Sequence, residues 1–252
     1  MPFQISRRLM RQKGRKAQIV QAAEGFTIAI MDHPILNAIR RESFVPLGWF
    51  SPTAEDRTPE GTQFVILIGN AGPEMFRRFA RERDPRRDLM DDWCRAVIGG
   101  LARTLDARAV YPFDKPPLPF LTWARRAKAG HVSPLGMNIH STYGLWHAFR
   151  AALLFPVTFD LPAPSQGPHP CESCDGKPCL SACPVNAFSG TSYDVPRCID
   201  HIASAEGTDC MTGGCLARRA CPVGRAFAYG PAQMQFHMRA FLRAHQPSGI
   251  PE

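Results

Sequence analysis

Eight of the nine cysteines in this 252-residue chain fall between Cys171 and Cys221. They form two groups, Cys171-x2-Cys174-x4-Cys179-x3-Cys183-Pro184 and Cys198-x11-Cys210-x4-Cys215-x5-Cys221-Pro222. Each group ends in Cys-Pro-Val, so the segment reads as a diverged internal duplication. A chain of this length can bury a core without disulfide staples. Its start, MPFQISRRLMRQKGRKAQIV, is basic but has no uninterrupted apolar region of the kind a secretory signal needs. That start reads as an exposed basic arm or a first helix, with a faint likeness to a transit peptide. No apolar run reaches the ~18 residues that span a bilayer. A cytoplasmic protein with no membrane partner is therefore expected, and in that compartment clustered cysteines bind metal or carry redox chemistry.

Two sets of four thiolates suit two [4Fe-4S] clusters. The segment ACPVNAF resembles a ferredoxin repeat. In bacterial two-cluster ferredoxins, three closely spaced cysteines grip one cluster and the Cys before Pro ligates the other. That resemblance implies Cys171, Cys174, Cys179 and Cys221 around one cluster, and Cys183, Cys198, Cys210 and Cys215 around the second. The alternative is a pair of zinc sites, which also take four thiolates and a C-x2-C start. The usual second C-x2-C interval is stretched to CDGKPC, where Gly176 and Pro178 suggest a small turn that absorbs the excess. Cys94 is left over from this arithmetic and reads as a buried inert thiol.

The cysteine-poor part predicts an α/β domain. GTQFVILIGNAG (61–72) reads as a buried strand ending at a Gly-rich turn, and PEMFRRFARERD as a helix. A second helix is expected in RRDLMDDWCRAVIGGLARTL, with Leu89, Trp93, Val97 and Leu101 as its apolar stripe. DARAVYPF (106–113) is a strand candidate. PPLPFLTWARRAKAG (116–130) reads as a proline-started helix closed by Gly130. GLWHAFRAALLFPVTF (144–159) fits a strand over at least part of its length. The expected organisation is an α/β domain over 1–160, a Pro-rich linker over 161–170, a two-cluster segment over 171–225, and a C-terminal amphipathic helix and tail over 226–252.

Taken together, GTQFVILIGNAG, RAKAG (126–130), GLW (144–146) and a cysteine in PRCIDHI (196–202) between two Cys-Pro runs resemble the epoxyqueuosine reductases. These are related to reductive dehalogenases and to the cobalamin-processing, nitroreductase-like (flavin-reductase-like) fold. The resemblance covers roughly residues 20–225. It implies a cobalamin against the α/β domain, lined by the region from Tyr111 to Trp146, and electrons passing through both clusters to it. The family's C-terminal helical repeats, which grip transfer RNA, have no counterpart before Glu252. Its catalytic acid lies near a proline ahead of the KAG helix, and the nearest match is Asp114 in YPFDKPPLP, offset by about two residues. Asp114 reads equally as an ordinary acid at a helix entry.

Other residues have plainer readings. His131, His140 and His147 fall in the segment implied for the cofactor, yet isolated histidines are usually hydrogen-bonded structural residues. Tyr111 reads as a packed strand residue. GNAG (69–72) lacks the full dinucleotide pattern. Arg77, Arg78, Arg81, Arg83, Arg86 and Arg87 make a solvated helix face. The net charge of +8 would attract an acidic electron donor such as flavodoxin or ferredoxin, and it would also suit nucleic acid. No recognition-helix or base-stacking motif accompanies it, so the protein donor ranks first. Two functions stay open: a corrinoid-dependent reductase acting on an unknown substrate, or an electron carrier that has kept the fold without cobalamin.

Overall fold

The computed structural model describes residues 18–21, 27–30, 32–84 and 89–245. The expected N-terminal arm, Arg86 and Arg87 lie outside them. A short antiparallel pair, β1 (Gln18–Gln21) and β2 (Thr27–Ile30), precedes α1 (Pro34–Arg41). The main sheet has four strands: β3 (Val45–Phe50), β4 (Phe64–Ala71), β5 (Arg108–Val110) and β8 (His147–Phe155), in the order β3-β4-β8-β5. The pairs β3/β4 and β5/β8 are antiparallel. Helices α2 (Glu74–Glu82), α3 (Met90–Thr104) and α4 (Phe120–Arg126) fall between the strands in sequence, and β6 (His131–Val132) pairs with β7 (Asn138–Ile139). The cysteine-rich part contains only helices: α5 (Pro178–Ser181), α6 (Val195–Ala203), α7 (Thr208–Gly213), α8 (Leu216–Arg219) and α9 (Pro231–His245). The architecture is mixed α/β, and among the described residues no helix is long and apolar enough to cross a membrane.

The chain forms two compact units that are not consecutive in sequence. Of the described residues, one unit takes those up to Asn70 and those within 77–129 and 148–165. The other takes Ala71–Phe76, Gly130–His147 and those from Gln166 to His245. Residues 161–169 have no regular secondary structure, as a Pro-rich stretch predicts. The α/β unit is built on β4, whose residues Phe64 to Asn70 are all buried. A continuous apolar strand of this kind needs cover on both faces.

Several element limits differ from those predicted. In α3 the buried residues are Met90, Cys94, Ile98, Leu101 and Ala102; of the expected stripe only Leu101 is buried, the row Met90/Cys94/Ile98 replaces Leu89/Trp93/Val97, and Leu89 stands 57% exposed. Adjacent helical rows both carry apolar residues here, so a four-residue periodicity alone cannot choose between them. The proline-started helix begins only at Phe120, because prolines at 116, 117 and 119 hold the preceding backbone extended. It ends at Arg126, and Lys128 rather than Gly130 is the first residue beyond it in the left-handed region. Gly130, at φ +125, instead lets the chain pass 2.6 Å from where a Cβ would meet the Ile139 carbonyl.

The glycine at the head of GNAG has a packing role. A Cβ on Gly69 would lie 2.1 Å from the Ala148 carbonyl and 2.4 Å from Leu47. The Ala148 carbonyl is backbone and cannot swing aside as a side-chain end can, so β4 and β8 close up only around a hydrogen at this position. Gly69→Ala is expected to destabilise the protein by about 1–3 kcal/mol, the range for overpacking in a well-filled interior. Urea unfolding should show the loss as a lower midpoint at unchanged slope.

Candidate metal centre

The second compact unit gathers its thiols from distant parts of the chain. Helices α5 and α8 pack against each other. Cys179, Cys183, Ala217 and Cys221 share one apolar cluster with Leu135, Ile139, Leu145 and Ala187. Cys171, Cys174, Cys198 and Cys215 are half-buried, and Cys179, Cys183, Cys210 and Cys221 are buried.

Neighbouring charge sorts these thiols into two sets. Burial pushes the Cys171 thiol up to about 11, and Cys221, Cys179 and Cys174 add to the rise. Cys179 is raised by burial and then by Cys221 and Cys174. Cys221 is raised by burial, with Cys174 contributing. In the other set, burial raises Cys198, helped by Cys183 and Cys210. Burial lifts Cys215 to about 11, with Cys210 and Cys198 adding. The chain thus brings Cys221 to Cys171, Cys174 and Cys179, and brings Cys183 to Cys198, Cys210 and Cys215. A small cavity of ≈ 20 Å³ is lined by all four thiols of the second set, together with Val185, Phe188, Ile202 and Met238. Among the described residues, no three histidine, cysteine, aspartate or glutamate side chains meet at a single-ion site.

The backbone points donors at the sulfurs. Ala187 N donates to Cys183 Sγ at 3.3 Å. The backbone N–H groups of Arg218 and Ala217 favour the Cys215 thiolate, as that of Val223 favours Cys221 and that of Leu180 favours Cys179. Such donors favour the thiolate and offset part of the burial cost of its charge.

Arg218, between Cys215 and Cys221, fixes the second unit from inside. Its guanidinium lies 4.7 Å from the Trp146 ring centre and 4.6 Å from that of Tyr229. Its Nε donates to the Leu145 carbonyl at 3.1 Å. Two glycines make a close crossing nearby: a Cβ on Gly144 would lie 2.0 Å from Val223 O, and one on Gly224 would lie 2.3 Å from Tyr143 C. Sequence reasoning did not single out Arg218 and met Gly144 only within GLW (144–146), since only the fold shows which loop each one meets.

The histidines of the 130–147 segment have structural partners. His147 Nδ1 donates to the Gly144 carbonyl at 3.0 Å, and its Nε2 accepts from Asn138 Nδ2 at 3.2 Å, an assignment that fits the neutral ring. Burial drives His147 down to about 3 and His140 down to about 4. His140 Nδ1 accepts from Thr142 N at 3.0 Å. His131 stacks on His169 at 4.4 Å. Three buried polar atoms in this segment lack a hydrogen-bond partner: His131 Nε2, Ser133 Oγ and Trp146 Nε1.

In the α/β unit, both carboxylate oxygens of Asp114 are engaged. Oδ1 accepts from Arg95 Nη2 and Oδ2 from the Tyr111 backbone, each at 2.8 Å. Tyr111 is buried and donates its hydroxyl to the Arg95 carbonyl at 3.2 Å. Cys94 is fully buried in α3, where burial raises its thiol to about 11. Arg78, from the arginine-rich run, pairs with Glu42 at 2.7 Å and Glu82 at 2.8 Å.

An open groove lies beside the second thiol set, sharing Pro184, Val185 and His201 with the cysteine cavity. Its other lining residues include Asp194, Arg197, Asp200 and Glu206, and Arg197 pairs with Asp194 at 3.5 Å. The groove is acidic although the chain as a whole is basic.

Two outcomes follow from this geometry. Arg218→Met keeps most of the stem and removes the charge and its donors. It should cost about 1–3 kcal/mol, measured by thermal unfolding, since a desolvated cation–π contact and a charged hydrogen bond are lost together. The neutral histidines give a pH dependence of known sign. Both fall from the ordinary 6.5, to about 4 and about 3, so the unfolded chain binds their protons first. Stability should decline as pH drops from 6.5 toward 3, and urea midpoints for His147→Gln should decline less steeply than wild type.

No protein-family model matches the sequence, and no curated protein is significantly similar to it. Among solved structures, the chain is similar to the epoxyqueuosine reductase of Streptococcus thermophilus, with 14% identity over 78% of this chain and 66% of that one, at a TM-score of 0.49. It is also similar to an epoxyqueuosine reductase solved with a modified tRNA-Tyr stem loop, with 18% identity over 78% of this chain and 66% of that one, at 0.47. The Bacillus subtilis epoxyqueuosine reductase aligns at 21% identity over 76% of this chain and 58% of its own, at 0.41. The chain spans about two thirds or less of the length of these reductases.

Proposed function

We propose that this protein is a redox protein holding two [4Fe-4S] clusters, and that it acts as a reductase resembling the epoxyqueuosine reductases with cobalamin as its second cofactor. The observation that carries the first part is the sorting of eight thiols into two spatial sets that cross the sequence order, Cys221 joining the first group and Cys183 the second. The four thiols of the second set line a space, which suits a cluster that takes one thiolate per iron. A zinc ion would instead require its sulfurs at ~2.3 Å from a common point. Backbone donors aimed at Cys179, Cys183, Cys215 and Cys221 suit thiolates that share charge with a cluster.

A corrinoid supplies low-potential cobalt for reductive chemistry and carries many amide arms. The partnerless His131 Nε2, Ser133 Oγ and Trp146 Nε1 are the polar groups of the Tyr111–Trp146 region that such arms would satisfy. Asp114 is the proton donor that the resemblance suggests. Its two occupied oxygens would have to release Arg95 or the Tyr111 N–H before it could serve, so a role in holding the 111–114 turn fits it better. The electron donor in this reading is an acidic flavodoxin or ferredoxin drawn by the +8 net charge. Asp194, Asp200 and Glu206 would repel such a donor from the groove beside the second set, so it would approach from a different face. Transfer RNA is a second candidate partner, since the same charge suits phosphate and one similar reductase was solved with a tRNA stem loop. The electron-carrier reading remains the alternative should cobalamin fail to bind.

Anaerobic reconstitution should give about eight irons and eight sulfides per chain. Stoichiometric zinc with negligible sulfide would overturn the cluster reading. Cys221→Ala should then damage the cluster of Cys171, Cys174 and Cys179, and Cys183→Ala the other, giving distinct three-iron signals by electron paramagnetic resonance. Cys94→Ala should keep the full iron content. Cobalamin added to the reconstituted protein should shift its visible spectrum and raise its melting temperature; neither change would leave the carrier reading in place.

A further inference from the structure

Helix α9 forms one wall of the second thiol set. It packs on α7, which carries Cys210, and on α6, which carries Cys198. Its Met238 lines the cavity of Cys183, Cys198, Cys210 and Cys215. Phe241 lies nearly parallel to Tyr193 at 6.2 Å, and Tyr193 stacks at 4.5 Å on Phe188, which also lines that cavity. At the helix end the His245 ring lies 4.5 Å from that of Phe241, and its Nδ1 donates to the Phe241 carbonyl at 2.9 Å. The inner face of α9 is therefore packed from the cavity wall to the exposed end of the helix.

The outer face has a different chemistry. Arg239 and Arg243 stand four residues apart and so share one side of the helix, while Phe241, two residues from each, falls on the opposite side. Arg243 is exposed and Arg239 half-exposed, and among the described residues neither joins an ion pair. The sequence of α9 contains no acidic residue. The flank of α6 is the reverse case, since Asp194, Asp200 and Glu206 gather in the groove there. Two fields of opposite sign thus border the same four thiols.

We infer that the face of α9 bearing Arg239 and Arg243 is the docking surface for an acidic electron-donor protein, whose electron enters at the second cluster on the other side of this one helix. The inference rests on the two-cluster reading and names the face that the acidic groove leaves open to such a donor. Opposite charge speeds the encounter and fixes its register, while a patch of the donor's own sign turns it away. In the redox step the donor loses one electron and the second cluster gains it; no bond forms or breaks.

The test sets Arg239→Glu/Arg243→Glu against Arg77→Glu/Arg81→Glu in the reconstituted full chain, the second pair being an equal charge change at exposed positions of α2. Oxidised flavodoxin is the binding probe, titrated by calorimetry at low and high salt. Wild type should bind more weakly as salt rises, and the α9 pair should lose roughly tenfold in affinity while the α2 pair stays near wild type. Arg239→Gln/Arg243→Gln should show a smaller loss. Cluster reduction by photoreduced flavodoxin should slow in the α9 pair. Reduction by photoreduced deazaflavin, a small uncharged molecule, should keep its rate, with iron still at about eight per chain. Unchanged flavodoxin affinity in the α9 variants, or no binding by eight-iron wild type, would overturn the inference and leave the two-cluster reading standing. Equal losses in the α9 and α2 pairs would overturn it in favour of net charge alone. Weakened binding of a tRNA stem loop with flavodoxin binding intact would overturn it and assign the face to nucleic acid. Wild-type protein without iron or sulfide would fail the cluster reading itself, and this inference with it.

Discussion

The packing of α5 against α8 sets the geometry on which the cysteine unit depends. Each helix has only four residues, too short to be stable alone. What holds them is the shared apolar cluster, in which Cys179, Cys183 and Cys221 are buried beside Leu135, Ile139, Leu145, Ala187 and Ala217. In the proposed reading these thiols are both core and ligand. As core they contribute apolar area; as ligands they must become thiolates, which the same burial opposes. The backbone donors at Cys179, Cys183, Cys215 and Cys221 answer that conflict locally, and a cluster's irons would answer it in full.

Arg218 adds the second constraint. A guanidinium between two aromatic faces, donating to the Leu145 carbonyl, ties α8 to the 144–147 segment. The glycine crossing at Gly144 and Gly224 lets the two backbones approach closely enough for that tie to form. Charge, aromatic surface and missing side chains cooperate at one point.

Much of this was legible in the sequence where the signal is local. β4, α2, α3 and α9 sit where apolar periodicity and β-branched runs put them. The stripe on α3 was misread by one residue because Leu89/Trp93/Val97 and Met90/Cys94/Ile98 are equally apolar rows. The late start of α4 reflects prolines that each fit a first turn but together prevent one. Arg218 was not legible at all. An arginine in ARRACP carries no mark of what it will touch, since its partners Trp146, Tyr229 and Leu145 are fixed only by the tertiary fold.

The interleaving of the two units bears on modularity. The cysteine-bearing unit takes in Ala71–Phe76 and Gly130–His147, with Gly72 N donating to the Trp146 carbonyl at 3.0 Å and Phe76 meeting Phe236 edge-on at 5.5 Å. A cysteine-rich segment cut at the Pro-rich stretch would leave behind Leu135, Ile139 and Leu145 from its apolar cluster and both tethers of Arg218 to the 145–146 segment. The segment after Gln166 is therefore not a transplantable module. Moving it onto an unrelated α/β body would require moving residues 71–76 and 130–147 with it.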